Sequence, residues 1–163
     1  MEIRAADWPD LACLVRCEAE AFELQPRAVD ADFAGQLESD VAKTHTVLAA
    51  QIRAGQIHVA MRAGEVVGYV SVTADYEHLF VGAIAVLPAH QRQGLGSRLL
   101  AFAEQTAARR GMEFVSLYTD GLKAANLRFY TNRGYGETDR TEGPDFLRVY
   151  YSKLIVPVAA RAA

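Results

Sequence analysis

Residues 86–100 read VLPAHQRQGLGSRLL and place a glycine-bearing loop between two regular segments. The segment before the loop, His78 to Leu87, is nearly all apolar, which is typical of a strand covered on both faces, and Pro88 ends it. The segment after the loop, Ser97 to Arg110, has apolar residues at helical spacing, and Gly111 ends it. The sequence therefore predicts a buried strand, a glycine loop and a long helix in the middle of the chain.

The loop from Gln91 to Gly96 has the features of a phosphate-binding loop. It precedes a helix, so several backbone N–H groups lie at the positive end of the helix dipole. Gly94 and Gly96 carry no Cβ, which lets the main chain approach a pyrophosphate. Two other loop types are excluded. A dinucleotide loop needs a third glycine where this chain has Leu99, and a nucleoside-triphosphate loop needs a Gly-Lys-Ser or Gly-Lys-Thr ending, which is absent.

Outward from this centre, strand-like and helix-like patterns alternate without repeats or linkers, which predicts one mixed α/β domain over residues 1–156. We expect helices on both faces of the sheet and a loose tail at residues 157–163. The further predicted elements are a strand at Met1 to Ala5, a helix from Asp7, helices at Asp30 to Glu38 and Val41 to Arg53, a hairpin of Ile57 to Arg62 with Val66 to Thr73, a strand at Phe114 to Tyr118, a helix at Ala124 to Asn132 and a strand at Phe146 to Leu154.

Composition excludes several classes of function. The 17 Lys and Arg against 20 Asp and Glu give a net charge of −3, so no basic field for nucleic acid is present. No apolar run is long enough to cross a membrane and the N-terminus lacks a signal-peptide core, so we expect a cytoplasmic protein. The two cysteines, Cys13 and Cys17, are predicted to be buried thiols, and no metal site is expected.

The loop and its flanks resemble the acetyl-CoA-binding motif of the GNAT superfamily of N-acetyltransferases, whose core is Gln/Arg-x-x-Gly-x-Gly/Ala. The resemblance extends from Met1 to about Leu154. It implies a largely antiparallel, twisted mixed sheet with a splayed pair of strands. It also implies that the splayed strand pairs with the pantetheine arm of acetyl-CoA, while the loop amides hold the pyrophosphate. These cofactor contacts then fall to Ile84, Ala85, Val86, Gln91, Arg92, Gln93, Gly94, Leu95, Gly96 and Ser97.

A second stretch, NLRFYTNRGY at residues 126–135, resembles the other GNAT signature, in which an Asn opens a helix and a Tyr precedes a closing Gly. Tyr130 lies four residues before Gly134, as in the family. The resemblance implies a cofactor contact for Asn126 and Tyr130. Many members place the Asn seven residues before the Tyr, where this chain has Lys123, so the position of this contact stays open between Asn126 and Lys123.

Transfer of an acetyl group from a thioester to an amine has three chemical requirements. The amine, with a pKa of about 10, must lose a proton to a base before it attacks. The oxyanion can be held by a backbone N–H of the splayed strand, for which we predict that of Val86. The leaving thiolate needs a proton, for which we predict Tyr130, since a phenol pKa of about 10 is close to a thiol pKa of about 8.5. The alternative for Tyr130 is a half-buried aromatic residue that packs beside Phe129.

The base and the acceptor contacts are less narrowly defined. Glu77 and His78, near the start of the central strand, are candidate bases, and Asp75 beside them is a candidate acceptor contact; all three can equally form a solvated hairpin turn. Glu18 and Glu20 on the first helix are further candidates to line the acceptor cleft. At the end of a buried strand, we expect Tyr118 and Thr119, followed by Asp120, to contact the acceptor.

Three functions remain at this level. The first is an N-acetyltransferase that moves acetyl from acetyl-CoA directly to a primary amine of a small molecule or peptide. The second is a sensor or interaction module that binds acetyl-CoA without turnover, and the third is a structural α/β domain without a cofactor. The acidic charge balance favours a cationic acceptor. The resemblance also makes a homodimer possible.

Overall fold

A computed structural model describes residues 1–21, 32–144 and 146–155. The strands are β1 (Glu2–Ala5), β2 (Ile57–Arg62), β3 (Glu65–Asp75), β4 (His78–Val86), β5 (Phe114–Asp120), β6 (Gly136–Glu142) and β7 (Leu147–Leu154). The α-helices are α1 (Leu11–Ala21), α2 (Asp32–Arg53), α3 (Leu95–Arg109) and α4 (Ala124–Thr131), and short 3-10 turns lie at Trp8–Asp10 and Pro88–His90.

The strands follow the order β1-β2-β3-β4-β5-β7-β6. The β1–β2, β2–β3, β5–β7 and β6–β7 pairs are antiparallel and the β4–β5 pair is parallel. The parallel register runs only from His78 opposite Phe114 to Val81 opposite Leu117, although both strands continue. The predicted fold class is therefore confirmed, as a mixed, largely antiparallel sheet with a splayed pair and accompanying helices.

The chain divides into two compact units, of which the first comprises Met1–Ser71 and Ala83–Leu100. Its core forms where α1 and α2 contribute apolar side chains beside those of β2 and β3. Leu11, Leu14 and Cys17 recur every third residue along α1, so all three fall on the buried side of that helix. Burial raises the pKa of the Cys17 thiol to about 11, which keeps it protonated, as expected of a core cysteine.

The second unit comprises Val72–Gly82 and the chain from Ala101 onward. Along β5 the side chains alternate: Val115, Leu117 and Thr119 are buried, while Tyr118 and Asp120 on the opposite face are exposed. Strand β7 lies beside β5 in antiparallel register and shows the same alternation. This register decides which side chains of the two strands share a face.

Two predicted elements need correction. The separate helices predicted at Asp30 to Glu38 and Val41 to Arg53 form one helix, α2, from Asp32 to Arg53, because the helix continues through residues 39 and 40. Strand β6 was missed because all seven of its residues are exposed and carry no apolar alternation. Asp30 and the predicted tail lie outside the described residues. Among the helices that are described, none is long and apolar enough to cross a membrane.

Candidate active site

The glycine loop of the first unit is held in shape by its own side chains. Gln91 Nε2 donates to the Val86 carbonyl at 3.0 Å, and Gln93 Nε2 donates to the Ala89 carbonyl at 3.2 Å. The backbone turns through positive φ angles of 57° at Arg92 and 79° at Gly94. Successive turns of this kind gather main-chain N–H groups on one side. The two glutamines predicted to contact a cofactor therefore also fix the loop conformation.

The helix after the loop begins at Leu95, two residues earlier than predicted. Its first intrahelical hydrogen bond runs from the Arg98 N–H to the Gly94 carbonyl at 3.1 Å, so Gly96 belongs to the first turn. N–H groups of a first turn have no carbonyl partner within their helix and bind anions readily. A Cβ placed at Gly94 would meet no atom within 4 Å, which shows open space beside these groups.

A cavity of about 400 Å³ lies beside the loop, lined by Met1, Arg62, Gln93, Leu95 and Arg98. The Arg62 guanidinium donates to the Gln93 side-chain oxygen, and Arg98 Nη1 lies 3.8 Å from the Met1 sulfur. Two guanidinium groups beside a helix N-terminus supply both point charge and directed N–H donors. The residues of this cavity therefore fit a phosphate-bearing ligand.

At the end of β4, one backbone N–H points away from the neighbouring strand β3. The Leu87 N–H donates to the Val67 carbonyl of β3 at 3.0 Å. Because successive N–H groups of an extended strand point to opposite edges, the Val86 N–H points away from β3. By the same alternation the Ile84 N–H also points away from β3, whereas the Ala85 N–H points toward β3. The Ala85 side chain is buried in the core.

A glycine that the sequence analysis did not single out allows this arrangement. A Cβ at Gly68 would lie 2.6 Å from the Ala85 carbonyl oxygen and 3.2 Å from the Val86 Cα. The backbones of β3 and β4 can approach this closely only if residue 68 has no side chain. An isolated glycine inside the strand-forming run VVGYV at residues 66–70 was the signal in the sequence that could have indicated this close approach.

Tyr130 lies on α4 in the second unit, among other aromatic rings. Its ring meets Phe129 and Tyr135 edge-on at centroid distances of 5.0 and 5.9 Å and lies 6.0 Å from Tyr151. Burial raises the pKa of Tyr130 to about 12. The neighbouring Tyr135 hydroxyl donates to Glu104 at 3.1 Å. These contacts fix the direction of the Tyr130 side chain.

Asn126 and Thr119 are joined to each other. The Asn126 amide donates from Nδ2 to the Thr119 hydroxyl at 3.1 Å, which ties the first turn of α4 to β5. Thr119 is only 9% exposed, so it lies on the buried face of β5, opposite the face of Tyr118. This bond gives both residues a part in positioning α4.

The hairpin tip that carries Asp75, Glu77 and His78 is solvated, which matches the alternative reading of this segment. All three side chains are exposed, and Tyr76 between them is 97% exposed. The His78 imidazole stacks on Phe114 at 4.9 Å and its Nδ1 lies 2.9 Å from the Ser116 hydroxyl. Glu77 and His78 stay predictions as candidate bases.

The first unit offers a different carboxylate. Glu18 on α1 accepts a hydrogen bond from the hydroxyl of Tyr69, a fully buried residue of β3. Burial raises the pKa of Glu18 above its ordinary value. Glu20, also on α1, is about half exposed and pairs with Arg16. Within the described ranges, no group of three His, Cys, Asp or Glu side chains is arranged to hold a metal ion.

Comparison with known proteins identifies the family of this chain. Residues 16–135, well over half of the chain, match the acetyltransferase (GNAT) family. An aminoalkylphosphonate N-acetyltransferase of Salmonella typhimurium is 38% identical over 87 residues, which are 49% of this chain and 56% of that relative. The match thus spans little more than half the length of this relative.

Two further similarities cover more of the chain. An uncharacterized N-acetyltransferase of Archaeoglobus fulgidus is 30% identical over 140 residues, 82% of this chain and 91% of that protein. The fold resembles the PaiA N-acetyltransferase of Thermoplasma acidophilum, solved in complex with coenzyme A, with a TM-score of 0.76 and 20% identity over 94% of this chain and 98% of that one. On the family match and these relatives, the chain belongs to the GNAT acetyltransferase family.

Proposed function

We propose that the chain is an N-acetyltransferase that moves the acetyl group of acetyl-CoA to a primary amine by direct attack. The observation that carries this proposal is the loop before α3, where Gly94 at φ 79° opens the first-turn amides to an anion beside Arg62 and Arg98. A pyrophosphate is the anion that the cofactor of this family supplies. A cytoplasmic location and a homodimer stay predictions.

The edge of β4 supports the acetyl-transfer chemistry. When bound, acetyl-CoA supplies a thioester whose carbonyl oxygen gains negative charge during attack. The Val86 N–H points to the edge of β4 where pairing with β5 has already ended at Val81. A fixed N–H donor of this kind stabilises a developing oxyanion without reorganisation. Ile84, on the same edge, is the residue we assign to the pantetheine arm.

The raised pKa of Tyr130 changes the role that we expect for its hydroxyl, from proton donor to hydrogen-bond donor. A phenol with a pKa of about 12 stays protonated at neutral pH and can donate a hydrogen bond to the departing sulfur. Complete proton transfer to a thiolate of pKa about 8.5 would be uphill by roughly 5 kcal/mol. We therefore propose that Tyr130 acts mainly as a hydrogen-bond donor to the sulfur.

Glu18 is the base that the first unit supports best. It belongs to the same unit as Val86, and its raised pKa makes it a stronger proton acceptor than an ordinary carboxylate. The hydroxyl of Tyr69 orients its Oε1 atom. Glu18 would remove the proton of the acceptor amine, directly or through one water molecule.

A second candidate function is acetyl-CoA binding without turnover. The observation in its favour is the dense ring packing of Tyr130, which is also what a structural tyrosine would show. Release of thiol from acetyl-CoA in the presence of amines separates the two functions. The acceptor named for the Salmonella relative is an aminoalkylphosphonate, and the partial match leaves the acceptor of this chain open.

Thermal unfolding with and without acetyl-CoA tests the cofactor site. A ligand at about 100 times its Kd stabilises the folded state by roughly 2.7 kcal/mol, which raises the midpoint by about 5 to 10 °C. In Gly94→Ala, a Cβ at a positive φ costs about 1 to 2 kcal/mol and occupies space that is open beside the loop. The ligand-induced shift of this variant should fall by about half.

Gly64→Ala is the matched control, because Gly64 also has a positive φ, 83°, and open space around its Cβ position, but lies in the β2–β3 turn. It should lose similar stability and keep the full acetyl-CoA shift. Absence of a shift in the unmodified chain at millimolar acetyl-CoA would refute the cofactor proposal.

A further inference from the structure

Arg62 and Arg98 line the same cavity beside the glycine loop, but their side chains are held in different ways. Arg98 Nη1 meets the sulfur of Met1 at 3.8 Å, and a thioether is a weak hydrogen-bond acceptor. The Arg62 guanidinium donates instead to the side-chain oxygen of Gln93. All four residues belong to the first unit. An anion can therefore replace Met1 as the partner of Arg98 at little cost, whereas Arg62 is already bonded to the loop itself.

The backbone around Arg62 is fixed by a tight hairpin turn. Arg62 ends β2 and lies opposite Glu65 of β3. The two residues between them, Ala63 and Gly64, have positive φ angles of 51° and 83°. A two-residue turn of this kind fits the twist of the strands that it joins. The Arg62 side chain therefore starts from a well-defined position, although it reaches a residue 31 positions later in the sequence.

Gln93 uses both ends of its side-chain amide. Its oxygen accepts from Arg62, and its Nε2 donates to the Ala89 carbonyl at 3.2 Å. A guanidinium has N–H donors and no acceptor, so Arg62 can bond only to the amide oxygen. Arg62 thereby selects the orientation of the amide in which Nε2 faces Ala89. Loss of Arg62 removes this selection and leaves the bond to Ala89 unsupported.

The position of Gln93 in the loop gives these bonds their importance. Gln93 lies between the two loop residues with positive φ, Arg92 at 57° and Gly94 at 79°. The main-chain N–H groups of such a segment form the concavity that binds an anion. A loop that is ordered before its ligand arrives loses less conformational freedom on binding than a loop that the ligand must order. A side chain tied at both ends orders residues 92–94 in this way.

We propose that Arg62 is a positioning residue that acts through Gln93. It orders residues 92–94 for the phosphates of acetyl-CoA, while Arg98 supplies the charge that contacts those phosphates. The inference rests on the cofactor site proposed above and assigns separate roles to its two arginines. Arg62 lies outside both sequence motifs, so the resemblance to the family does not imply its role.

A double-mutant cycle separates ordering from direct contact. The Kd of acetyl-CoA is measured by calorimetry for Arg62→Met, for Gln93→Met and for the double variant. Arg62→Met should raise Kd about tenfold, and the double variant should match Gln93→Met within twofold, because the two side chains act as one unit. Arg98→Met should instead add its full loss to that of Gln93→Met. Additive losses for Arg62 and Gln93 would overturn the inference.

Ionic strength gives a second comparison. Contacts between exposed charges weaken as salt rises. The loss of affinity in Arg98→Met should therefore shrink at least threefold between 50 and 500 mM NaCl, while the loss in Arg62→Met should stay within twofold. Arg62→Lys, which keeps a donor for Gln93, should recover most of the affinity. A salt dependence in Arg62→Met equal to that in Arg98→Met would show direct contact with phosphate and overturn the inference.

NMR spectra of the chain without ligand distinguish this inference from the function on which it rests. The amide signals of Gly94 and Gly96 should shift or broaden in Arg62→Met. They should stay in place in Arg140→Met, the matched control, since Arg140 is an exposed arginine of β6 that pairs with Glu137. Unchanged signals in Arg62→Met overturn the inference even if acetyl-CoA binds. Changed signals in a chain that does not bind acetyl-CoA refute the cofactor proposal and leave the ordering role of Arg62 standing.

Discussion

The loop of the first unit and the surroundings of Tyr130 in the second unit are built in opposite ways. The loop uses main-chain groups of consecutive residues, and glycines keep those groups accessible. The surroundings of Tyr130 consist of side chains, those of Phe129, Tyr135 and Tyr151, and Tyr151 lies on β7, so the fold alone brings it beside Tyr130. A site built from main-chain groups can thus be predicted from a short motif, while the surroundings of a side chain can be predicted only once the fold is known.

If the main chain does most of the catalytic work, moving it should cost more than removing any one side chain. Gly68→Ala is the strongest test. The added Cβ meets the Ala85 carbonyl oxygen at 2.6 Å, a backbone atom that cannot rotate away. We expect a loss of about 1 to 3 kcal/mol in unfolding free energy, and at least a hundredfold loss in kcat because the Val86 N–H is displaced.

Urea unfolding and single-turnover kinetics measure the two effects of Gly68→Ala. Gly136→Ala is the control, since a Cβ at this β6 glycine would meet only the Ser152 carbonyl oxygen at 4.0 Å. Both the unfolding free energy and the turnover of Gly136→Ala should be nearly unchanged. Unchanged turnover in Gly68→Ala would show that the end of β4 does not hold the reacting group.

Glu18→Gln should have the next largest effect, about a thirtyfold loss of kcat/KM at pH 7, because the variant has no base. In the unmodified chain the acidic limb of the pH profile should lie above the ordinary glutamate pKa of about 4.3, and the variant should lack this limb. Since the folded-state pKa is raised, the stability contribution of Glu18 is present below its unfolded pKa and is lost as the pH rises.

The stability of Glu18→Gln provides its internal control. At pH 7 the buried carboxylate costs folding free energy, so the variant should unfold at the same temperature or a higher one. Glutamine keeps an oxygen that can accept from the Tyr69 hydroxyl. Lower activity together with a lower midpoint would instead identify Glu18 as a structural residue.

Tyr130→Phe should have the smallest of the three effects, about a tenfold loss of kcat with an unchanged acetyl-CoA shift. Loss of one hydrogen bond to the sulfur accounts for a change of this size. Tyr135→Phe serves for comparison, because its hydroxyl bonds to Glu104 and Lys153 still pairs with that carboxylate. If the two variants lose equal activity, Tyr130 contributes packing alone.

The sequence was informative where the pattern is local. The strand, loop and helix around Gly94 were predicted within two residues, as was the hairpin of β2 and β3. The site was predicted less completely. Glu77 and His78 were chosen as candidate bases because they lie near the start of the central strand, and the structure places both at an exposed hairpin tip. Gly68 was missed because only the pairing of β3 with β4 reveals how closely the Ala85 carbonyl oxygen approaches it.

Strand β6 forms one end of the strand order, and all seven of its residues, GETDRTE, are exposed. An exposed edge normally invites another strand to join it. Here three carboxylates and one arginine occupy the edge, so two copies placed side by side would bring like charges together across the new ladder. These charges disfavour a continuous intermolecular sheet at β6 in any dimer of this chain, and they equally disfavour aggregation by edge pairing.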